Sequence, residues 1–110
     1  MRIPIRFRLL GQTINVVWDP GLCRSEDQTG QARYRFNEIR IQPSCDGNPR
    51  SSDAIEHTFL HELMHWILFY AGWSYDAGKR ELHEDERLVD LCAGLLHQAL
   101  TTMEYSEDGP

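Results

Sequence analysis

The sequence lacks any uninterrupted apolar run near the roughly 20 residues that a membrane span needs. Its opening residues, Met-Arg-Ile-Pro-Ile-Arg, hold no apolar stretch of the kind found in secretory leaders. Both absences predict a cytoplasmic protein without a membrane partner. Cysteine is scarce: Cys23, Cys45 and Cys92 make an odd number and include no C-x-x-C pair. A Cys23–Cys45 disulfide fits that count, and so do three free thiols, which a reducing compartment favours. Basic charge is also short, with 11 Lys and Arg against 17 Asp and Glu for a net charge of −6. That balance argues against a general nucleic-acid binder. No internal repeat, phosphate-binding signature or second domain is visible. A length of 110 residues suits one hydrophobic core.

The chain is otherwise ordinary in bulk, and its 41% hydrophobic and 25% charged residues predict a globular domain. Charge is split between the halves. Residues 1–50 carry eight Arg against five acids, and residues 51–110 carry three bases against twelve acids.

The first half alternates with the period of strands. Ile3, Ile5, Phe7 and Leu9 fall on one side of the stretch 2–9, and Arg2, Arg6 and Arg8 on the other. A turn at Gly11-Gln12 leads to a second strand with Ile14, Val16 and Trp18 inward, closed by Asp19-Pro20-Gly21. Residues 21–30 read as a polar loop, with or without a short helical turn. A third strand, Ala32–Phe36, places Tyr34 and Phe36 inward. A tight turn at Asn37-Glu38 precedes a fourth, where Ile39 and Ile41 alternate with Arg40 and Gln42. The outward arginines could meet an acidic partner, but a solvated outer face is the reading this pattern favours. Residues 43–50 read as a loop.

The second half has helical periods. Asp53 and Glu56 are spaced as a capping box that opens a helix, and the run to Ala71 is apolar nearly all round, with Gly72 as a natural stop. Residues 72–82 form a polar loop. A second helix over 83–103 has one stripe of Leu88, Leu91, Cys92, Leu95 and Ala99, and another of Glu86, Asp90, Ala93 and His97. Ala93 and Gly94 allow close approach of another helix. Residues 104–110 form an acidic, frayed tail. The pattern predicts an α+β fold: a small antiparallel sheet of three or four strands over 1–50, packed on two helices over 51–103.

The first helix carries His61-Glu62-Leu63-Met64-His65. Residues four apart share a helix face, about 6 Å apart along the axis, so His61 and His65 can close on one metal ion. Glu62, rotated by about 100°, flanks the open side of such an ion and can act as a base there. Twenty-one residues after His65 come Glu86-Arg87-Leu88-Val89-Asp90. A catalytic zinc takes three protein ligands and leaves one position open, and Glu86 can be the third. Asp90, one turn on, can accept the outer N–H of a ligating histidine and fix its tautomer. His57 shares the histidine stripe but lies about 12 Å from His65 along the axis, which suits a residue on the rim, or one that supports the ligands from outside, better than a ligand.

H-E-x-x-H followed at this distance by E-x-x-x-D resembles the gluzincin metallopeptidases, in particular their very small single-domain versions and the ImmA/IrrE-like and phage-encoded relatives. The likeness runs from about Gly11 to Leu100, with its specific motifs within 61–65 and 86–95. It implies one zinc per chain and a hydrolase acting on peptide bonds, with His61, His65 and Glu86 as ligands and Glu62 as the base. It also implies an edge strand that pairs with an extended peptide or protein substrate, which the pattern places at 38–42. His83, Tyr75, His57 and Tyr105 are candidates for steadying the oxyanion, and the sequence does not choose among them. A zinc-bearing interaction protein without turnover and a non-peptide metallohydrolase are the two alternatives.

Overall fold

The computed structural model describes residues 1–22, 28–70 and 85–106. Its first half forms a four-stranded sheet of β1 (Arg6–Leu9), β2 (Gln12–Trp18), β3 (Gly30–Arg33) and β4 (Glu38–Ile41), in the order β1-β2-β4-β3. A two-stranded hairpin, β5 (Ser44–Cys45) and β6 (Asn48–Pro49), follows it. The second half forms α1 (Ser52–Tyr70) and α2 (Glu86–Thr102). The fold is α+β, a small sheet with two helices.

The sheet is mixed, not antiparallel throughout. β1 with β2 and β3 with β4 are antiparallel, but β2 with β4 is parallel, with Val16 beside Ile39 and Trp18 beside Ile41. Burial explains the order. Ile39 and Ile41 of β4 are fully buried and take the centre, while β3 has only Gly30 and Ala32 to offer on that face and takes the edge. The expectation of an open edge at 38–42 is therefore corrected. β4 is paired on both sides, and the edges are β1 and, on the helix-facing side of the centre, β3.

Turn chemistry moves several other boundaries. The first hairpin turns at Leu10-Gly11, both with positive φ, and the stretch read as a plain loop turns likewise at Asp46-Gly47. The third strand stops at Arg33, where a 3-10 turn (Tyr34–Phe36) takes over and Asn37 closes it in the left-handed region. That turn rotates Phe36 outward, to 58% exposure, under the Arg33 guanidinium 4.5 Å from its ring centre. Ile5, read as inward, precedes β1 and is exposed, and Trp18 at the end of β2 is half-exposed. Gln42, read as outward, is buried, and its Nε2 donates to the carbonyls of Pro20 (2.7 Å) and Ser44. Arg40 pairs with Asp19 at 3.0 Å and Glu38 at 3.1 Å, so that arginine has acidic neighbours of its own. Cys45 and Cys92 are free, so Cys45 forms no bridge, and Cys23 lies outside the described residues.

Helix α1 is the central element, with the sheet on one side and α2 on another. Its cap is Ser51, whose hydroxyl accepts the Ala54 N–H at 3.1 Å, in place of the expected Asp53-Glu56 box. Phe59, Leu60 and Trp66 from α1 meet Ile14, Ile39 and Ile41 from the sheet and Ala93 from α2. Each large side chain buried there contributes about 1.5–3 kcal/mol. The Trp66 indole N–H also donates to the Glu38 carbonyl at 3.1 Å, fixing the helix to the start of β4. Asp85 caps α2, accepting the Leu88 N–H at 3.2 Å. The stripe of α2 that meets α1 is the polar, small-residue one, with Val89 and Ala93 fully buried, while Leu91 and Leu95 are 61% and 58% exposed. Among the described residues no helix is long and apolar enough to cross a membrane.

Arg50 ties these layers together. Its guanidinium donates to the carbonyls of Gln42 (2.7 Å) and Thr29 (3.4 Å) beside the sheet, and to the Ala54 carbonyl (3.3 Å) and Thr58 hydroxyl (2.6 Å) on α1. Arg50→Ala removes four hydrogen bonds and is expected to lower the unfolding free energy by about 3 kcal/mol, read by urea denaturation. Arg50→Lys is expected to recover little, since one ammonium cannot span the forked geometry.

Candidate metal centre

The i, i+4 spacing does what helical geometry requires: the rings of His61 and His65 lie with centroids 5.0 Å apart on the α1 face toward α2. Glu86, in the first turn of α2, reaches both. Its Oε2 is 2.9 Å from His61 Nε2 and its Oε1 is 3.0 Å from His65 Nε2. The ligand atoms of all three lie within 4.8 Å of one another, a group that could hold a metal ion. Tetrahedral bonds of about 2.1 Å put ligand atoms about 3.4 Å apart, so a small opening of these contacts would admit an ion. The histidines are largely buried and Glu86 is two-thirds exposed, so the group is rigid on one side and accessible on the other.

Asp90 Oδ1 stands 3.3 Å from His61 Nδ1, at the ring nitrogen that faces away from Glu86. It is also 3.7 Å from His57 Nε2. His57 lines the cleft and lies beside the seam: a Cβ added at Gly94 would come 3.7 Å from its Nε2. Tyr105 is exposed and its hydroxyl meets Met103 Sδ, away from the histidines. Tyr75 and His83 lie outside the described residues.

Glu62 is not in the ligand group. It is buried, between α1 and the edge strand, and accepts a hydrogen bond from the Ala32 backbone. Burial pushes its carboxyl pKa up to about 7, with Glu86 adding to the rise while His61 and the Ala32 hydrogen bond oppose it. Room for this side chain comes from Gly30. A Cβ there would lie 2.5 Å from Thr58 Cγ2 and 2.9 Å from Glu62 Oε2. Gly30, Ala32 and Arg50, which holds Thr58, thus position Glu62, and none of them carries a motif. The one sequence signal was the pair of small residues, Gly30 and Ala32, two apart at the start of a strand otherwise flanked by bulky side chains. A cleft of about 630 Å³ runs along β3, with His61, His65, Glu62 and Glu86 in its wall.

Two outcomes follow from this packing. Gly30→Ala is expected to cost about 1–3 kcal/mol in thermal or urea unfolding, because the β-branched Thr58 cannot swing aside as the end of Glu62 can. In metal-free protein the Glu62 carboxyl titrates near 7 when folded against 4.5 ordinarily, so the native state binds the extra proton between those values. Stability from this group is therefore present below about pH 4.5 and lost as pH rises to about 7, by roughly 3 kcal/mol. Glu62→Gln is expected to flatten that part of the pH–stability curve and to raise the midpoint of chelated protein at pH 8.

Comparison with models of known protein families, with curated proteins and with solved structures finds no match to this chain.

Proposed function

We propose that this chain is a zinc-dependent peptidase of the gluzincin type. The observation that carries the reading is the separation of roles at the centre. Three ligand-bearing side chains converge on one point, while a fourth ionisable group, Glu62, is buried beside them and hydrogen-bonded to the edge strand. Two imidazoles and a carboxylate with an accessible side suit zinc, which takes that donor set in hydrolytic sites. Zinc held by His61, His65 and Glu86 would supply a Lewis acid that polarises a carbonyl and lowers the pKa of water.

The protein groups do the rest. Glu62, made more basic by burial, takes a proton from the attacking water and returns it to the leaving amine. Its hydrogen bond to Ala32 keeps the carboxylate aimed along the cleft. Asp90 holds His61 by the other ring nitrogen, fixing the orientation of that imidazole. The edge strand β3, Gly30–Arg33, lines the cleft and would offer an extended peptide, as an added strand, the outward backbone groups that the Glu62–Ala32 hydrogen bond leaves. A substrate lying there would pass Glu62 and the histidines with its own backbone in register. This moves the peptide-binding strand from 38–42 to β3.

The test is a Glu62→Gln variant assayed beside the wild type. Elemental analysis is expected to give the same zinc content for both proteins, and about one equivalent less for His65→Ala. Turnover of a broad peptide library is expected to fall by about 10²- to 10⁴-fold in Glu62→Gln, as loss of a general base does. Loss of zinc from Glu62→Gln would assign Glu62 to the ligand set and overturn the roles. A zinc-loaded wild type that cleaves no peptide in the library would overturn the peptidase reading in favour of a zinc-bearing interaction protein.

A further inference from the structure

The α1–α2 seam carries paired acids and imidazoles at both of its ends. Near one end stand His61, His65 and Glu86, with two imidazoles on α1 and the carboxylate on α2. Toward the start of α1 stand Asp53 and Glu56, and His97 faces them from α2. The ligand atoms of this second group also lie within 4.8 Å of one another. We propose that Asp53, Glu56 and His97 form a second divalent-cation site, distinct from the first, that clips the start of α1 to α2.

The geometry repeats that of the first group. His97 Nε2 is 2.9 Å from Glu56 Oε1, the same contact that His61 Nε2 makes with Glu86. Glu56 and His97 are largely buried and Asp53 is exposed, so this group too is anchored on one side and open on the other. Glu56 has been drawn away from the capping role its spacing suggests and into the seam. The His97 hydrogen bond holds its carboxyl below the ordinary value, so it is ionised at neutral pH. The Met1 ammonium, 3.4 Å from Glu56 Oε2, also faces it. Two carboxylates against that one ammonium leave negative charge that a dication offsets. Calcium and magnesium favour all-oxygen ligands, whereas an imidazole in the set suits ions such as zinc, copper or nickel.

The two groups are too far apart to share an ion. Asp53 and His61 are eight residues apart, about 12 Å along the helix. Between them Ala93 is fully buried and Gly94 lies against His57, so small residues keep the helices close enough for both ends to reach across. A cation at the second group would act on the fold, since it ligates no residue of the first.

Chelated wild-type protein titrated with zinc against a chromophoric chelator is expected to take two equivalents, and the second to raise the thermal midpoint further. His97→Ala and Asp53→Asn are each expected to take one equivalent, and to keep the midpoint gained with the first. Asp53 is exposed, so Asp53→Asn leaves the core untouched should His97→Ala fail to fold. The double variant His61→Ala/His65→Ala is expected to retain one equivalent, which separates this site from the centre above. Wild-type saturation at one equivalent that His61→Ala/His65→Ala abolishes, or two full equivalents in both Asp53→Asn and His97→Ala, would overturn the proposal.

Discussion

A carboxylate out of water is the demand around which this fold is arranged. Glu62 is enclosed between a helix and a strand, and such a group is costly unless hydrogen bonds hold it. The backbone of Ala32 supplies one, and it can do so only because α1 comes down close upon β3. That approach requires Gly30, which would otherwise drive a methyl into Thr58. Because β3 is small on this face, it has little to bury and lies at the edge, leaving the centre to Ile39 and Ile41 of β4. Strand order, edge and buried acid are thus consequences of one close contact. Arg50 holds it from the side by bonding both partners.

Much of the candidate metal centre was legible because its signals are local. Helical period alone puts His61 and His65 on one face, and the stripe of Glu86, Asp90, Ala93 and His97 said which side of the second helix would meet the first. What escaped is non-local. Nothing in the alternation of β2, β3 and β4 says which strand of a hairpin will dock against a third, so the parallel pair and the edge were not readable. Gln42 looked like an outward strand residue because its partners, the carbonyls of Pro20 and Ser44, belong to turns whose course the pattern does not give. Glu56 was read as a cap since spacing reports only its own helix, and its partner His97 lies forty-one residues on. Phe36 was placed inward by counting in twos through a segment that changes to a period of three.

The helix seam shows how a mixed surface can be sorted. A helix that packs chiefly on one neighbour buries one stripe, and α2 presents its small and ionisable side chains to α1. Small residues allow the close approach, so Glu86 and Asp90 reach imidazoles of α1 from the solvent side and His97 reaches Glu56. The cost of that choice is an outer face on which Leu91 and Leu95 stand in solvent.

The parallel pairing of β2 with β4 also sets the order in which the molecule can assemble. Each hairpin of the sheet, β1–β2 and β3–β4, closes over a short loop and can form on its own within microseconds. Joining them is a different event, since Asn15 meets Glu38 twenty-three positions away and every later pair in that ladder is equally distant. Closing such a span costs chain entropy before any contact repays it, and makes this docking the slow step of folding. Trp66 donates to the Glu38 carbonyl at that same junction, so α1 settles into its final place only when the two hairpins have joined.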